Sequence, residues 1–152
     1  MSKTYISASL RRTVSDRAQK CCEYCLIPEM LALASYQVDH VIAEKHGGAT
    51  IEENLALSCP LCNQAKGSDI ASIDPETGET VRLYHPRQDN WTDHFYLENL
   101  SGAILPLTAI GRVTTQLLRM NRTASLPTRQ VLAQAGIIKA SVKQVPNSPE
   151  KE

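Results

Sequence analysis

Hydrophobic positions change period several times along this chain, and each change marks a different element. Leu10, Val14 and Ala18 recur every fourth residue, with Arg11 and Arg12 off the stripe, which predicts a short helix over residues 9–20. Residues 26–34 are apolar with no clear period. Residues 36–42, Tyr-Gln-Val-Asp-His-Val-Ile, alternate and are β-branched, so they read as a strand carrying Asp39 and His40 near its end. Gly47-Gly48 then makes a turn, and residues 51–57 return as a second strand or extended segment bearing Asn54. Pro60 suits the first turn of a helix and Gly67 its end, giving a helix over 60–67. The predicted order is strand, turn, strand, helix.

After residue 70 the pattern predicts an extension of the same unit. Residues 74–78, Asp-Pro-Glu-Thr-Gly, turn the chain between Ile73 and the alternating run 80–84. A second strand pair, 95–98 and 103–107, turns at Ser101-Gly102. Over 109–121, Ile110, Val113, Leu117 and Met120 make an apolar face, with Arg112 and Arg119 opposite and facing outward. A helix over 128–135 follows Pro127 and stops at Gly136, and the stretch 139–152, with Pro146 and Pro149, reads as a frayed tail. The expected organisation is an N-terminal helix plus core over 1–70, a hairpin and helical extension over 71–138, and a flexible tail over 139–152. The fold class is α+β.

Composition sharpens this picture in one respect. One Phe and one Trp in 152 residues leave a core poor in aromatic anchors, and a cross-link would offset that shortage. No segment reaches membrane-spanning length and the N-terminus lacks a signal-like apolar run, so no membrane association is expected and the cytoplasm is the expected location. Zero net charge conceals a polarised chain. Residues 31–98 carry eleven acidic against four basic side chains, whereas 99–145 carry six basic ones, including Lys139 and Lys143, and no acid. The first thirty residues add Lys3, Arg11, Arg12, Arg17 and Lys20. An acidic, metal-collecting middle between basic arms suits a polyanionic partner; equally, these cations can simply solvate helix faces.

The chemistry concentrates between residues 22 and 66. Cys22/Cys25 and Cys59/Cys62 are two Cys-x-x-Cys pairs separated by 33 residues. Two residues between cysteines let one tight turn aim two thiolates at one ion, and two such turns complete the tetrahedral set that zinc takes. Disulfides or four free thiols are the alternatives. Cys21 is left over; with Cys25 it offers another ligand pair, but the two-residue spacing favours Cys22. The insert between the pairs carries Asp39, His40 and Asn54, and Asn63 follows Cys62 directly.

The run VDHVIAEKHGGATIEENLALSCPLCNQAKG resembles the HNH endonuclease motif, over roughly residues 18–70 of the chain. The match rests on Cys22, Cys25, Asp39, His40, Gly47, Gly48, Asn54, Cys59, Cys62, Asn63 and Lys66 in order and spacing. The resemblance implies a ββα-metal core stapled by a four-cysteine zinc site. It also implies metal-dependent hydrolysis of DNA leaving 5′-phosphate and 3′-hydroxyl ends, with RNA also open as substrate. The first and last metal positions are here Asp39 and Asn63, where the colicin type has His at both.

Residue chemistry supplies the roles. Phosphodiester hydrolysis needs a deprotonated water and neutralised charge at the phosphate. A neutral His40 imidazole can accept the proton. Asp39 and Asn63 offer hard oxygens for a divalent ion, which favours Mg²⁺ or Mn²⁺. Adjacent strand residues point to opposite faces, so Asp39 and His40 converge only if the strand end is bulged or bent, as the resemblance implies. Asn54 is expected to brace the facing loop and keep the imidazole oriented. Lys66, one helical turn past Asn63, is expected to contact phosphate or make a bracing ion pair. Arg87, Arg112 and Arg119 complete the expected phosphate contacts. Around Arg87, the residues His85, Trp91 and His94 can line a groove, or Trp91 and Phe95 can pack a small sheet. The expectation is a DNA endonuclease whose sequence specificity is low or borrowed from a protein partner. The alternatives are a non-catalytic zinc-knuckle module that binds nucleic acid and an interaction protein on a dead nuclease fold.

Overall fold

The computed structural model describes residues 4–138 and 140. Lys3, Lys139, Lys143 and, Ala140 aside, the tail over 139–152 lie outside the described residues. Helix α1 (Ala8–Arg17) begins where the Ser7 hydroxyl accepts a hydrogen bond from the Leu10 N–H at 3.1 Å. It ends three residues before the pattern predicts, because Gln19 and Lys20 take left-handed backbone angles that swing the chain into the first cysteine turn. Arg17, in the last turn of α1, donates to the carbonyls of Glu52 and Leu55 at 3.1 and 2.8 Å and ties the helix to the next layer.

Strands β1 (Gln37–His40) and β2 (Leu55–Ser58) pair antiparallel, with Gln37 opposite Ser58 and His40 opposite Leu55. Every residue of β2 is buried, which is why its sequence, Leu-Ala-Leu-Ser, reads apolar without alternation. Helix α2 (Pro60–Lys66) packs against β1, completing a ββα unit. The extended segment expected at 51–57 is partly a 3-10 turn, Glu52–Asn54, and β2 starts only at Leu55. That turn directs the Asn54 side chain back toward the 42–49 loop.

The extension is built from two hairpins and three helices. Strands β3 (Ala71–Ile73) and β4 (Thr80–Arg82) close around Asp74, whose carboxylate accepts from the Glu76 N–H and the Thr77 hydroxyl. Short helix α3 (Trp91–His94) leads into the β5 (Phe95–Leu97) and β6 (Ile104–Pro106) hairpin. Helices α4 (Ala109–Leu117) and α5 (Ser125–Gln134) follow. Helix α4 stops four residues before the apolar pattern does. Arg119 is left-handed, the Met120 N–H reaches back to the Thr115 carbonyl, and the buried Leu118 and Met120 turn inward. Arg112 and Arg119 therefore do not share one helical face. Helix α5 starts before Pro127, which sits in its first turn.

One hydrophobic cluster joins the two parts, running from Val14, Tyr24, Leu55 and the cysteines through Tyr84, Trp91, Phe95, Ile104 and Leu118 to Leu132. Trp91 stacks near Phe95 with ring centroids 5.1 Å apart and donates its indole N–H to the Tyr24 carbonyl at 2.9 Å. The scarce aromatics thus form the seam between the extension and the first cysteine turn, and Trp91 is buried in that seam.

Candidate metal centres and cleft

The four cysteines of the two pairs meet in the interior. The Sγ atoms of Cys22, Cys25, Cys59 and Cys62 all lie within 4.8 Å of one another, and all four residues are buried. Zinc–sulfur bonds of about 2.3 Å in a tetrahedron place sulfurs about 3.8 Å apart, and Cys25 Sγ and Cys59 Sγ are 3.8 Å apart. All five cysteines are free thiols. The donor set and its dimensions fit a structural zinc ion. Each turn is preorganised in the same way: the Cys25 N–H points to Cys22 Sγ at 3.5 Å and the Cys62 N–H to Cys59 Sγ at 3.4 Å. Cys59 doubles as the N-cap of α2, so the cluster and the helix start together.

Electrostatics also call for a cation here. Hydrogen bonding to its neighbours, Cys22 foremost, pushes the Cys25 thiol well up, while the same sharing of protons holds Cys59 far below the ordinary thiol range. Four crowded thiols cannot all ionise without a positive charge among them. Cys21 packs outside the set: its thiol sits 3.5 Å from the Gln19 carbonyl. Glu23, between the cysteines of the first turn, accepts from the Leu57 N–H at 2.7 Å and pairs with Arg87, fixing that turn to β2.

Asp39, His40 and Asn63 line a second region, a cleft of about 600 Å³ bounded by β1, α2, the 43–45 stretch and the N-terminal residues Thr4, Ile6 and Arg11. The strand is not bulged: pairing with β2 is regular through His40, and the Val41 N–H continues it to the Asn54 carbonyl at 2.9 Å. The cleft instead wraps around the end of β1. Asp39 faces α2 and Tyr24, while His40 faces the loop that follows.

Asp39 Oδ2 accepts from the Tyr24 hydroxyl at 3.0 Å and pairs with Lys66 Nζ at 3.2 Å. Burial pushes the Asp39 carboxyl up, against the opposing pull of Lys66 and Tyr24. Burial, then the Asp39 charge, keeps the Tyr24 phenol protonated and donating. Oδ1 of Asp39 has no partner among the described residues. Asn63 donates its Nδ2 to Gln37 Oε1, which leaves its own Oδ1 in the same condition. Both residues line the cleft, and each keeps one hard oxygen of the kind a divalent cation completed by water and phosphate takes.

Lys66, fully buried, also donates to the His40 carbonyl at 3.2 Å, so it braces both residues from beneath. His40 Nε2 lies 2.9 Å from Thr50 Oγ1. Asn54 knits the intervening loop: its Oδ1 accepts from the Ile42 N–H and its Nδ2 donates to the Ile42 and Ala49 carbonyls, each at 2.9 Å. Gly48 permits that closure, since a Cβ there would stand 1.7 Å from the Ile42 carbonyl oxygen and 2.8 Å from Asn54 Nδ2.

The three other expected phosphate cations lie elsewhere. Arg87, paired with Glu23, lines a different cavity of about 510 Å³. Arg112 makes a bidentate pair with the buried Asp74 at 2.9 and 2.8 Å and reaches Glu76 at 3.3 Å, which holds the Asp74 carboxyl well below the usual range. Arg119 is exposed beyond the end of α4. Two cations line the cleft that were not expected there: Arg11, expected only as one of several residues of a basic N-terminal arm, and Lys45. Both are accessible and make no side-chain pair among the described residues. Position on α1 alone carried no signal of this, since nothing local says that Arg11 lines a cleft formed by β1 and α2. Thr50 and Glu44, beside His40, were missed for the same reason.

No helix among the described residues is long and apolar enough to cross a membrane. Neither a search of curated proteins nor one of solved structures returns a match to the chain. A family model, HNH endonuclease, matches residues 22–69, the stretch that holds all four clustered cysteines together with Asp39, His40, Asn54 and Asn63. Over residues 22–69 the chain is therefore similar to HNH endonucleases.

Proposed function

We propose that this protein is a DNA endonuclease that hydrolyses phosphodiester bonds with His40 as general base, Asp39 and Asn63 as ligands to a single Mg²⁺ or Mn²⁺, and the four cysteines as a structural zinc site. The observation that carries the reading is the shared cleft: Asp39, His40 and Asn63 line one open cavity while the thiols of the same segment are shut into the core. When bound, the divalent ion supplies charge stabilisation at the phosphate and the leaving oxygen.

The chain's own residues do the rest. Lys66 holds the Asp39 carboxylate through Oδ2, which leaves Oδ1 as the oxygen for the cation. The Asn54 clamp keeps the loop around His40 closed. His40 takes the proton from the attacking water. Arg11 and Lys45, at the cleft lining, bind phosphates flanking the scissile one, a role for which their accessible and unpaired side chains are suited.

Nicking of supercoiled plasmid by the zinc-loaded protein tests the reading. Relaxation is expected when Mg²⁺ or Mn²⁺ is added and not without it. His40→Ala should lower the rate by about 10²–10⁴-fold while leaving bound zinc unchanged. Undiminished cleavage by H40A would remove the base assignment, and a wild-type protein that shifts DNA in a gel without cutting it would mark a non-catalytic binding module.

A further inference from the structure

An imidazole serves as a base only through a nitrogen that carries a lone pair, and the surroundings of His40 choose which nitrogen that is. His40 Nε2 is 2.9 Å from Thr50 Oγ1, and Thr50 Oγ1 is 3.5 Å from Glu44 Oε1. The same Glu44 oxygen lies 3.9 Å from His40 Nε2. A threonine hydroxyl has one hydrogen to give, and an ionised carboxylate has none. The hydrogen between Thr50 and Glu44 is then the threonine's, and the one between His40 and Thr50 belongs to the imidazole. The reverse arrangement would aim the Thr50 hydrogen at Nε2 and leave oxygen lone pairs of Thr50 and Glu44 facing each other.

The loop is built to hold this relay. Glu44 lies in the 3-10 turn Glu44–His46, and Thr50 follows the Gly47-Gly48 turn. Asn54 clamps the loop at Ile42 and Ala49, on either side of Glu44 and one residue before Thr50. Lys66 bonds the His40 carbonyl and Asp39 lies toward α2, so the ring's charged neighbour on the loop side is Glu44.

We propose that Thr50 and Glu44 are positioning residues that keep His40 in the Nε2–H tautomer and so leave Nδ1 as the basic atom. The role in catalysis rests on the nuclease reading above; the tautomer does not. In the hydrolytic step, a lone pair of the water oxygen forms the new bond to phosphorus and one water proton passes to Nδ1. The phosphorus–oxygen bond to the 3′ oxygen breaks with its electron pair on that oxygen, which takes a proton from solvent. His40 then returns its proton to solvent.

Nitrogen-15 NMR of the labelled, zinc-loaded full chain reads the tautomer directly, through correlations between the His40 ring nitrogens and ring hydrogens. The neutral wild-type ring should show a protonated Nε2. Thr50→Val should lose that pattern, and Thr50→Ser should restore it. In plasmid nicking T50V should lose at least about tenfold in kcat with KM little changed, and T50S should recover it. If T50V disturbs the fold, Glu44→Gln serves instead, because its amide can donate to Thr50 and should mix the tautomers. A wild-type His40 protonated at Nδ1, or an unchanged pattern in folded T50V and E44Q, overturns the proposal. If the wild type cuts no DNA, the nuclease reading fails and the NMR result still decides the tautomer.

Discussion

Cys62 and Asn63 are neighbours on α2, yet Cys62 is fully buried in the thiol cluster while Asn63 is half-exposed at the cleft. Successive helical residues are turned by about 100° from one another, so one short helix can face two sites. Lys66, one turn further on, is buried beneath the cleft and anchors it to the same helix. The two regions differ in what surrounds them. The cluster has four soft donors, all directed at one another and sealed from water; the cleft is open and lined by a carboxylate, an amide and an imidazole. A closed set of donors stabilises structure, and an open one leaves room for substrate and water. The shared helix implies that the closed site sets the geometry of the open one.

Removing the closed site should therefore have the largest effect. Zinc bound by four thiolates contributes on the order of 10 kcal/mol in small metal-stapled units. Chelation, or Cys59→Ser, should melt the ββα unit and the cleft with it, seen as loss of near-ultraviolet circular dichroism alongside zinc release. The thiols must shed protons to bind metal, so zinc affinity should fall as pH falls, with protons taken up on release. A chelated protein that keeps its tertiary signal and cuts DNA would separate the two regions.

The cleft loop should come next. Asn54→Ala removes three hydrogen bonds to Ile42 and Ala49, roughly 3 kcal/mol of local stabilisation. Its effect should be confined: faster amide exchange over residues 42–50 and slower cleavage, with zinc content unchanged. Zinc loss in N54A would show that the cleft supports the cluster rather than the reverse.

A smaller change should reach the cluster through charge. Arg129 on α5 is fully buried, donates to the carbonyls of Gly102 and Met120 and to Asn121 Oδ1, and leaves Nη1 without a partner among the described residues. Burial lowers its pKa, and the charges on Cys25, Cys62 and Cys22 push back. A tetrathiolate zinc centre carries excess negative charge, which a nearby guanidinium offsets. Arg129→Met should weaken zinc retention about 10–100-fold in chelator competition, while Arg129→Lys should lose less.

How much of this was legible in the residues follows from the range of the interactions involved. The cysteine turns, the Asp39–His40 strand and the start of α2 are set by neighbours within a few positions, so period, spacing and the Pro60 signal located them. The brace by Asn54 was expected from its place in the run that resembles the HNH motif, fourteen residues after His40. The ends of α1 and α4 were not, since left-handed residues at Gln19, Lys20 and Arg119 carry no glycine to announce them. The fates of Arg87 and Arg112 depended on partners 64 and 38 positions away, Glu23 and Asp74, which no local pattern reports. An arginine on a polar face looks the same whether it meets a phosphate or a buried carboxylate.

Arg11 and Arg12 give the mildest and most discriminating test of the cleft. They are adjacent on α1, equally charged and both exposed, but Arg11 lines the cleft and Arg12 is not among its lining residues. Each phosphate contact contributes about 0.9 to the slope of log affinity against log salt on duplex DNA. In an H40A background, where cleavage should be slow enough for binding to be measured, Arg11→Gln and Lys45→Gln should each lower that slope by about 0.9 and weaken binding alike across DNA sequences. Arg12→Gln should change the slope far less. Equal losses from R11Q and R12Q would mean that net charge, not cleft geometry, recruits the nucleic acid, and the cleft would then hold its substrate through the metal ligands alone.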